Sequence, residues 1–216
     1  MKLISVNIGK ERSIPNAKAS GKTGIYKLPV NTPVLITSNG IPGDVICDTK
    51  NHGGPDQAIY IYATEDYQWW SDALGHELAP GTFGENLTIS ELESASLCVG
   101  DILEIGAVRL QVTSPRMPCV TLAARMGDAA LMQQFGEAER PGLYCRVLQA
   151  GQVEVGDSVR LERYTGETVT ILEMFRDHYS PDLREATVRH YLAAPISMRS
   201  RAEKEKQLQK LLVPAK

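Results

Sequence analysis

One cysteine stands out by its neighbours. In "SPRMPCVTLAARMG" (Ser114–Gly127), Cys119 follows Arg116, with Pro115 and Pro118 just ahead of it. The prolines fix the local backbone and forbid a regular strand or helix there. Apolar residues at helical spacing follow. A thiol at the start of a helix, close to an arginine, is biased towards thiolate. Three roles are open for it: buried hydrophobe, nucleophile or metal ligand. The other three cysteines, Cys47, Cys98 and Cys145, read as small buried hydrophobes.

Two glycine-rich segments lie upstream. In "NHGGPDQA", Gly53 and Gly54 are preceded by His52 and followed by Asp56, with Lys50 close by. Paired glycines permit positive φ and a close approach of backbone N–H groups to an anion. The same pair is also ordinary turn chemistry before a strand. In "PGTFGENLT", Gly81 and Gly84 flank Phe83, and Glu85 and Asn86 follow. The Asn86 amide can hold a turn or meet a heterocyclic ligand. His76, His178 and His190 read as surface or helix-packing residues. The chain has no G-x-S-x-G, no Walker sequence, no G-x-G-x-x-G after a strand, no H-E-x-x-H and no C-x-x-C. Structural zinc and cysteine-ligated iron–sulfur clusters are therefore not expected.

These residues need a scaffold. The 216 residues are 43% hydrophobic and 23% charged, enough to bury a core. A net charge of −3 argues against a duplex nucleic-acid binder. No apolar run is long enough to cross a bilayer, and "MKLISVNIGKERS" lacks a signal-peptide core. A cytoplasmic protein with no membrane partner is the expectation. Short apolar runs punctuated by Gly and Pro predict many strands up to residue 164. "TEDYQWWSDALG" predicts a helix with Thr64 as N-cap and Gly75 as stop. "GDILEIGAVRLQVTS" predicts a hairpin, and "GLYCRVLQAGQVEVGDSVRLERY" a second hairpin-like unit. Residues 119–136 predict two short helices broken at Gly127. Many strands and few helices suggest a closed or nearly closed barrel. Residues 165–216 then predict three short helices, with Thr168 and Pro181 near helix starts and Pro195 between the last two. So small a unit should dock on the barrel or on a second subunit.

Taken in order, "HGGPDQAIYIY", "PGTFGENLT", "VGDILEIG" and "SPRMPC" resemble the MOSC domain, named from the C-terminal part of molybdenum-cofactor sulfurases. The resemblance runs over residues 1–165. The final helices look like the appendix of the bacterial YiiM-like branch. It implies a mixed, mainly β fold, a MOSC β-barrel over 1–164 with a three-helix unit over 165–216. It also implies binding of the molybdenum cofactor and reduction of small N-hydroxylated compounds, such as 6-hydroxylaminopurine-like base analogues, for detoxification. By the resemblance Cys119 ligates molybdenum. Lys50, His52, Gly53, Gly54, Glu85, Asn86 and Arg116 are the candidates to hold the cofactor. His52 and Asp56 join Cys119 as catalytic candidates. Relatives often carry a bulky aromatic near "GLYCRVL", a place Tyr144 can fill. With no flavin or iron–sulfur signature, electrons must come from an external flavin or iron–sulfur reductase. A homodimer is possible. The rival expectations are a cofactor or sulfur carrier without turnover, and a cofactor-independent thiol enzyme with Cys119 as nucleophile and His52 as base.

Overall fold

Residues 1–15 and 21–212 are described in a computed structural model of the chain. The apolar runs become strands β1 (Leu3–Gly9), β2 (Arg12–Ser13), β3 (Lys22–Thr23), β4 (Lys27–Val30), β5 (Val34–Ile36), β6 (Ile59–Ala63), β7 (Leu87–Ile89), β8 (Ile102–Ile105), β9 (Val108–Pro115), β10 (Leu143–Gln149), β11 (Gly151–Val153) and β12 (Val159–Glu162). The helices are α1 (Thr64–Leu74), α2 (Val120–Met126), α3 (Leu131–Ala138), α4 (Ile171–Tyr179), α5 (Glu185–Ala193) and α6 (Met198–Leu212).

Eight strands form one sheet in the order β12-β8-β9-β10-β6-β7-β1-β4. Neighbours are antiparallel except β6 and β7, which run parallel with α1 in the crossover between them. The expected closed barrel is corrected here, since the edge strands β12 and β4 do not pair. The ends meet only at a short seam. Leu3 N donates to Asp157 O at 2.9 Å, and Val159 N donates to Met1 O at 3.1 Å. β4 pairs with β1 only from Val6 onward, which leaves residues 1–3 for this seam and stops it from growing. The architecture is mixed and mainly β.

The first hairpin forms as expected: β8 and β9 pair around Gly106. The second does not. β10 lies between β9 and β6, β11 pairs with β5, and β12 pairs with β8. Local alternation marks strands but does not choose long-range partners. Ala63, not Thr64, is the N-cap of α1, while Gly75 ends it in the left-handed conformation. Gly127 likewise ends α2 at φ +69°.

Side-chain alternation divides the interior into two cores. All five residues of β6 are buried. Ile59, Ile61 and Ala63 enter an aliphatic core with Leu143 and Cys145 of β10. Tyr60 and Tyr62 point the other way, into an aromatic core with Tyr67, Trp70, Phe83, Phe135 and Tyr144. Successive strand side chains alternate faces, so one strand can serve both.

The C-terminal helices pack on the sheet. α4 opens with a capping box: Glu173 N donates to Thr170 Oγ1 at 3.0 Å, and Thr170 N to Glu173 Oε2 at 2.9 Å. Thr170 thus takes the role expected of Thr168, whose hydroxyl instead donates to Val99 O. Pro181 follows α4 and does not start a helix; Pro195 separates α5 from α6. Ile171, Tyr191, Ala194 and Ile196 join the aliphatic core, and Phe175 joins the aromatic one. Among the described residues no helix is long and apolar enough to cross a membrane.

Because helices and sheet share both cores, they should unfold together. Phe175→Ala should cost about 3–5 kcal/mol. Denaturant titration followed by tryptophan fluorescence and circular dichroism should show one lower midpoint with both probes. Two separated transitions would mean that the helical unit is thermodynamically independent of the sheet.

Candidate active site

The segment after β9 builds the centre of the site. Pro115 ends the strand, and Cys119 is the extended N-cap residue of α2. Arg116 turns inward and is 4% exposed. Its guanidinium lies 4.9 Å from the Tyr60 ring centroid, a cation–π contact. One terminal nitrogen donates to Phe83 O in the "GTFGEN" loop. Its Nε is buried without a hydrogen-bond partner. Arg116 forms no ion pair among the described residues. A buried cation without a carboxylate is costly, and it is a place prepared for an anion. Gly84 makes the approach possible, since it has φ +77° and a Cβ there would sit 2.8 Å from Ile25 Cγ1 and 3.7 Å from an Arg116 nitrogen.

The "NHGG" segment forms the facing wall. Asp48 O accepts from His52 N at 3.0 Å, which tightens the turn. Gly53 and Gly54 follow at φ +78° and +83°, a region that L side chains avoid. A Cβ on Gly53 would meet Ile46 Cδ1 at 3.0 Å, whereas Gly54 faces open space. A short 3₁₀ turn, Pro55–Gln57, then leads into β6. The turn places His52 in the same trough lining as Cys119, close enough for the imidazole to favour the thiolate. Burial pushes the Cys119 thiol up. The nearby His52 imidazole, the Arg116 charge and the Leu122 backbone N–H together outweigh burial and bring it down to about 6.

Cys119, His52, Gly53, Arg116 and Asn86 line one trough, together with Lys22, Lys27, Asp44, Gln57, Tyr60 and Tyr144. Lys27 is buried and paired with Asp44, and burial still holds its ammonium below the ordinary lysine range. Asn86 is already engaged: its Oδ1 accepts from Tyr60 N at 3.2 Å and its Nδ2 donates to Asp44 Oδ2 at 2.9 Å.

Four expected site residues lie outside the trough lining, Gly54 among them. Asp56 sits outside the trough lining, where its carboxylate pairs with Arg146 at 3.0 Å and accepts from Met198 N at 2.6 Å, joining the loop to α6. Glu85 is fully buried beneath the trough and accepts from Tyr67 Oη at 2.6 Å, Gly81 N and Thr88 Oγ1. Burial keeps its carboxyl above the ordinary range; its Oε1 braces the loop, and its Oε2 is buried without a partner. Lys50 is exposed and outside the lining; its carbonyl receives Arg199. Cys47 is half-buried in the trough wall rather than in a core, and Cys98 is half-buried too.

Lys22, Lys27 and Tyr60 escape the sequence reading, which named Tyr144 only as an aromatic that can fill a place in "GLYCRVL"; Tyr60 left no more trace than its position in the run "AIYIYA". Among the described residues no three His, Cys, Asp or Glu side chains are grouped to hold a metal ion. Any metal at Cys119 must bring most of its own ligands.

The family model for the MOSC domain matches residues 48–160, the span that carries the trough's turn, loop and thiol. The chain belongs to the MOSC domain family. This is a molybdenum-cofactor-binding family, and the chain resembles its YiiM-type members. It is 35% identical to YflK of Bacillus subtilis (strain 168) over 159 residues, 74% of this chain and 72% of that one. It is 31% identical over 143 residues to a protein named reductase from Gibberella moniliformis (strain M3125 / FGSC 7600), covering 64% of this chain but only 25% of the fungal protein. The crystal structure of YiiM from Geobacillus stearothermophilus superposes with a TM-score of 0.79 at 28% identity. That match covers 96% of this chain and 98% of the other, so the shared MOSC fold extends over the final helices.

The thiol's environment predicts its reactivity. Alkylation of Cys119 by iodoacetamide should rise with pH through a midpoint near 6, because thiolate is the reacting form and it dominates above that pH. His52→Ala removes the imidazole that favours the thiolate and should move the midpoint upward. An unchanged midpoint, read by mass spectrometry of the Cys119 peptide, would remove His52 from the site.

Proposed function

We propose that this MOSC protein is a molybdenum-cofactor-dependent reductase of small N-hydroxylated compounds. The observation that carries the reading is the trough itself: one thiolate-prone cysteine beside a buried, unpaired guanidinium. Molybdenum is thiophilic, and a dithiolene supplies two sulfurs of its own, so a single protein thiolate completes a soft ligand set. The orphaned Arg116 Nε and the Lys27 ammonium suit the anionic end of such a cofactor. Backbone groups around Gly53 suit its polar ring system. When bound, the cofactor would supply the two-electron redox centre.

The chain's own residues do the rest. Cys119 would hold the metal, and Arg116 would orient the anion, with the Lys27–Asp44 pair alongside. His52, in the same trough lining as Cys119, is placed to hold and pass a proton beside the sulfur. Tyr60 and Tyr144, with ring centroids 5.1 Å apart, form a wall that narrows water access. The reduction takes an N–OH group, two electrons and two protons to N–H and water. Electrons come from an external flavin or iron–sulfur reductase. The name of the fungal relative supports reduction as the chemistry.

The Cys119–His52 pair also favours a second reading, a thiol nucleophile with its base. Metal content separates the two. Protein purified from a host that makes the cofactor should carry about one molybdenum per chain by mass spectrometry, and Cys119→Ser should lose it together with turnover. Turnover by metal-free protein, lost in Cys119→Ser, would establish the nucleophile instead. Molybdenum bound without turnover of any N-hydroxylated compound would make the chain a carrier.

A further inference from the structure

The peptide bond that leads into His52 is held at both ends. Its N–H donates to Asp48 O at 3.0 Å. Its carbonyl, that of Asn51, accepts from Arg199 Nη1 at 2.6 Å. Nη2 of the same guanidinium donates to the preceding carbonyl, Lys50 O, at 3.1 Å. A guanidinium is a rigid planar fork, so one side chain fixes two successive carbonyls of this turn.

Beyond His52 the chain is pliant. Gly53 and Gly54 follow at φ +78° and +83°, and glycine has the widest backbone freedom of any residue. The chain is caught again at Asp56. Its Oδ2 accepts from Met198 N at 2.6 Å, its Oδ1 lies 3.0 Å from Arg146, and its carbonyl accepts from Thr113 Oγ1 at 2.6 Å. Without an anchor on each side of the two glycines, nothing in the turn's own backbone would keep the imidazole in the trough.

Both anchors come from one place, since Met198 and Arg199 are the first two residues of α6. That helix is itself tied down. Arg201 donates to Leu192 O at 2.8 Å and Ala194 O at 2.7 Å, and Lys204 Nζ lies 2.5 Å from Asp177 Oδ2 of α4. The MOSC family model ends at residue 160, so the clasp is built by a part of the chain outside it.

We propose that Arg199 is a positioning residue for His52. The first turn of α6 clasps the His52 turn at two points, with Asp56 as the second, and the C-terminal helices thereby set the reactivity of Cys119. The role stands whether the thiol binds a metal or acts as a nucleophile, so it does not depend on the reductase reading.

The test is a double-mutant cycle on the full chain without cofactor. It reads the rate of Cys119 alkylation by iodoacetamide at pH 6, by mass spectrometry of the Cys119 peptide. Arg199→Ala should slow the reaction about fivefold or more, in the same direction as His52→Ala, because a displaced imidazole no longer favours the thiolate. In a His52→Ala background, Arg199→Ala should change the rate by less than about twofold. Arg199→Lys, which restores a charged donor to the turn, should lie nearer wild type than Arg199→Ala. A general loosening of the fold would slow or speed the reaction equally in both backgrounds, and that result would overturn the proposal. So would a wild-type rate in Arg199→Ala, or a lysine variant no closer to wild type than the alanine one.

Discussion

Strand β6 is buried on both faces, and the rest of the molecule is arranged around that constraint. Its isoleucines close the aliphatic core while Tyr60 and Tyr62 found the aromatic one. The backbone is satisfied on both edges by β10 and β7, and the Tyr60 N–H is taken by the Asn86 side chain. Tyr60 Oη donates to Pro141 O at 2.9 Å, so the ring cannot swing away. That fixed ring is the surface on which the Arg116 guanidinium rests. A two-sided strand has no free face to slip in register, because a one-residue shift would put tyrosines among the aliphatics.

The site's electrostatics follow from what is compensated and what is not. Lys27 has Asp44, and Glu85 Oε1 has three strong donors besides a weaker one from Asn7, while Glu85 Oε2 is buried without a partner. Arg116 has a carbonyl and an aromatic face but no carboxylate. Folding therefore buries one positive charge next to a sulfur, with no carboxylate to neutralise it. That arrangement costs stability in the free chain and favours the thiolate of Cys119. Both effects act in the direction a soft, anionic cofactor requires.

The C-terminal helices are tied into the same machinery. Met198 N and Arg199 grip the segment from Lys50 to Asp56 at the start of α6. This is the segment that aims His52. A change in the seating of α6 would thus be felt at the thiol through two side chains and a turn, without any contact between α6 and Cys119.

Some of this was legible in the amino-acid sequence. The strands, the two helices after Cys119, the three final helices and the unusual setting of Cys119 follow from local periodicity and proline and glycine placement. These are short-range properties, and a single chain segment carries them. Strand partners were not legible: "GLYCRV" reads like the first arm of a hairpin but inserts between β9 and β6, because burial on both faces outweighs proximity in sequence. Nor were the destinations of charged side chains. Asp56 and Glu85 sit beside glycine-rich turns as ligand-binding acids would, yet one is drawn to Arg146 and α6 and the other into a buried hydrogen-bond cluster. Lys27 and Tyr144, from strands far apart in the chain, come into the trough instead. A charge settles where its desolvation is best offset, and the groups that offset it arrive only when distant strands and helices meet.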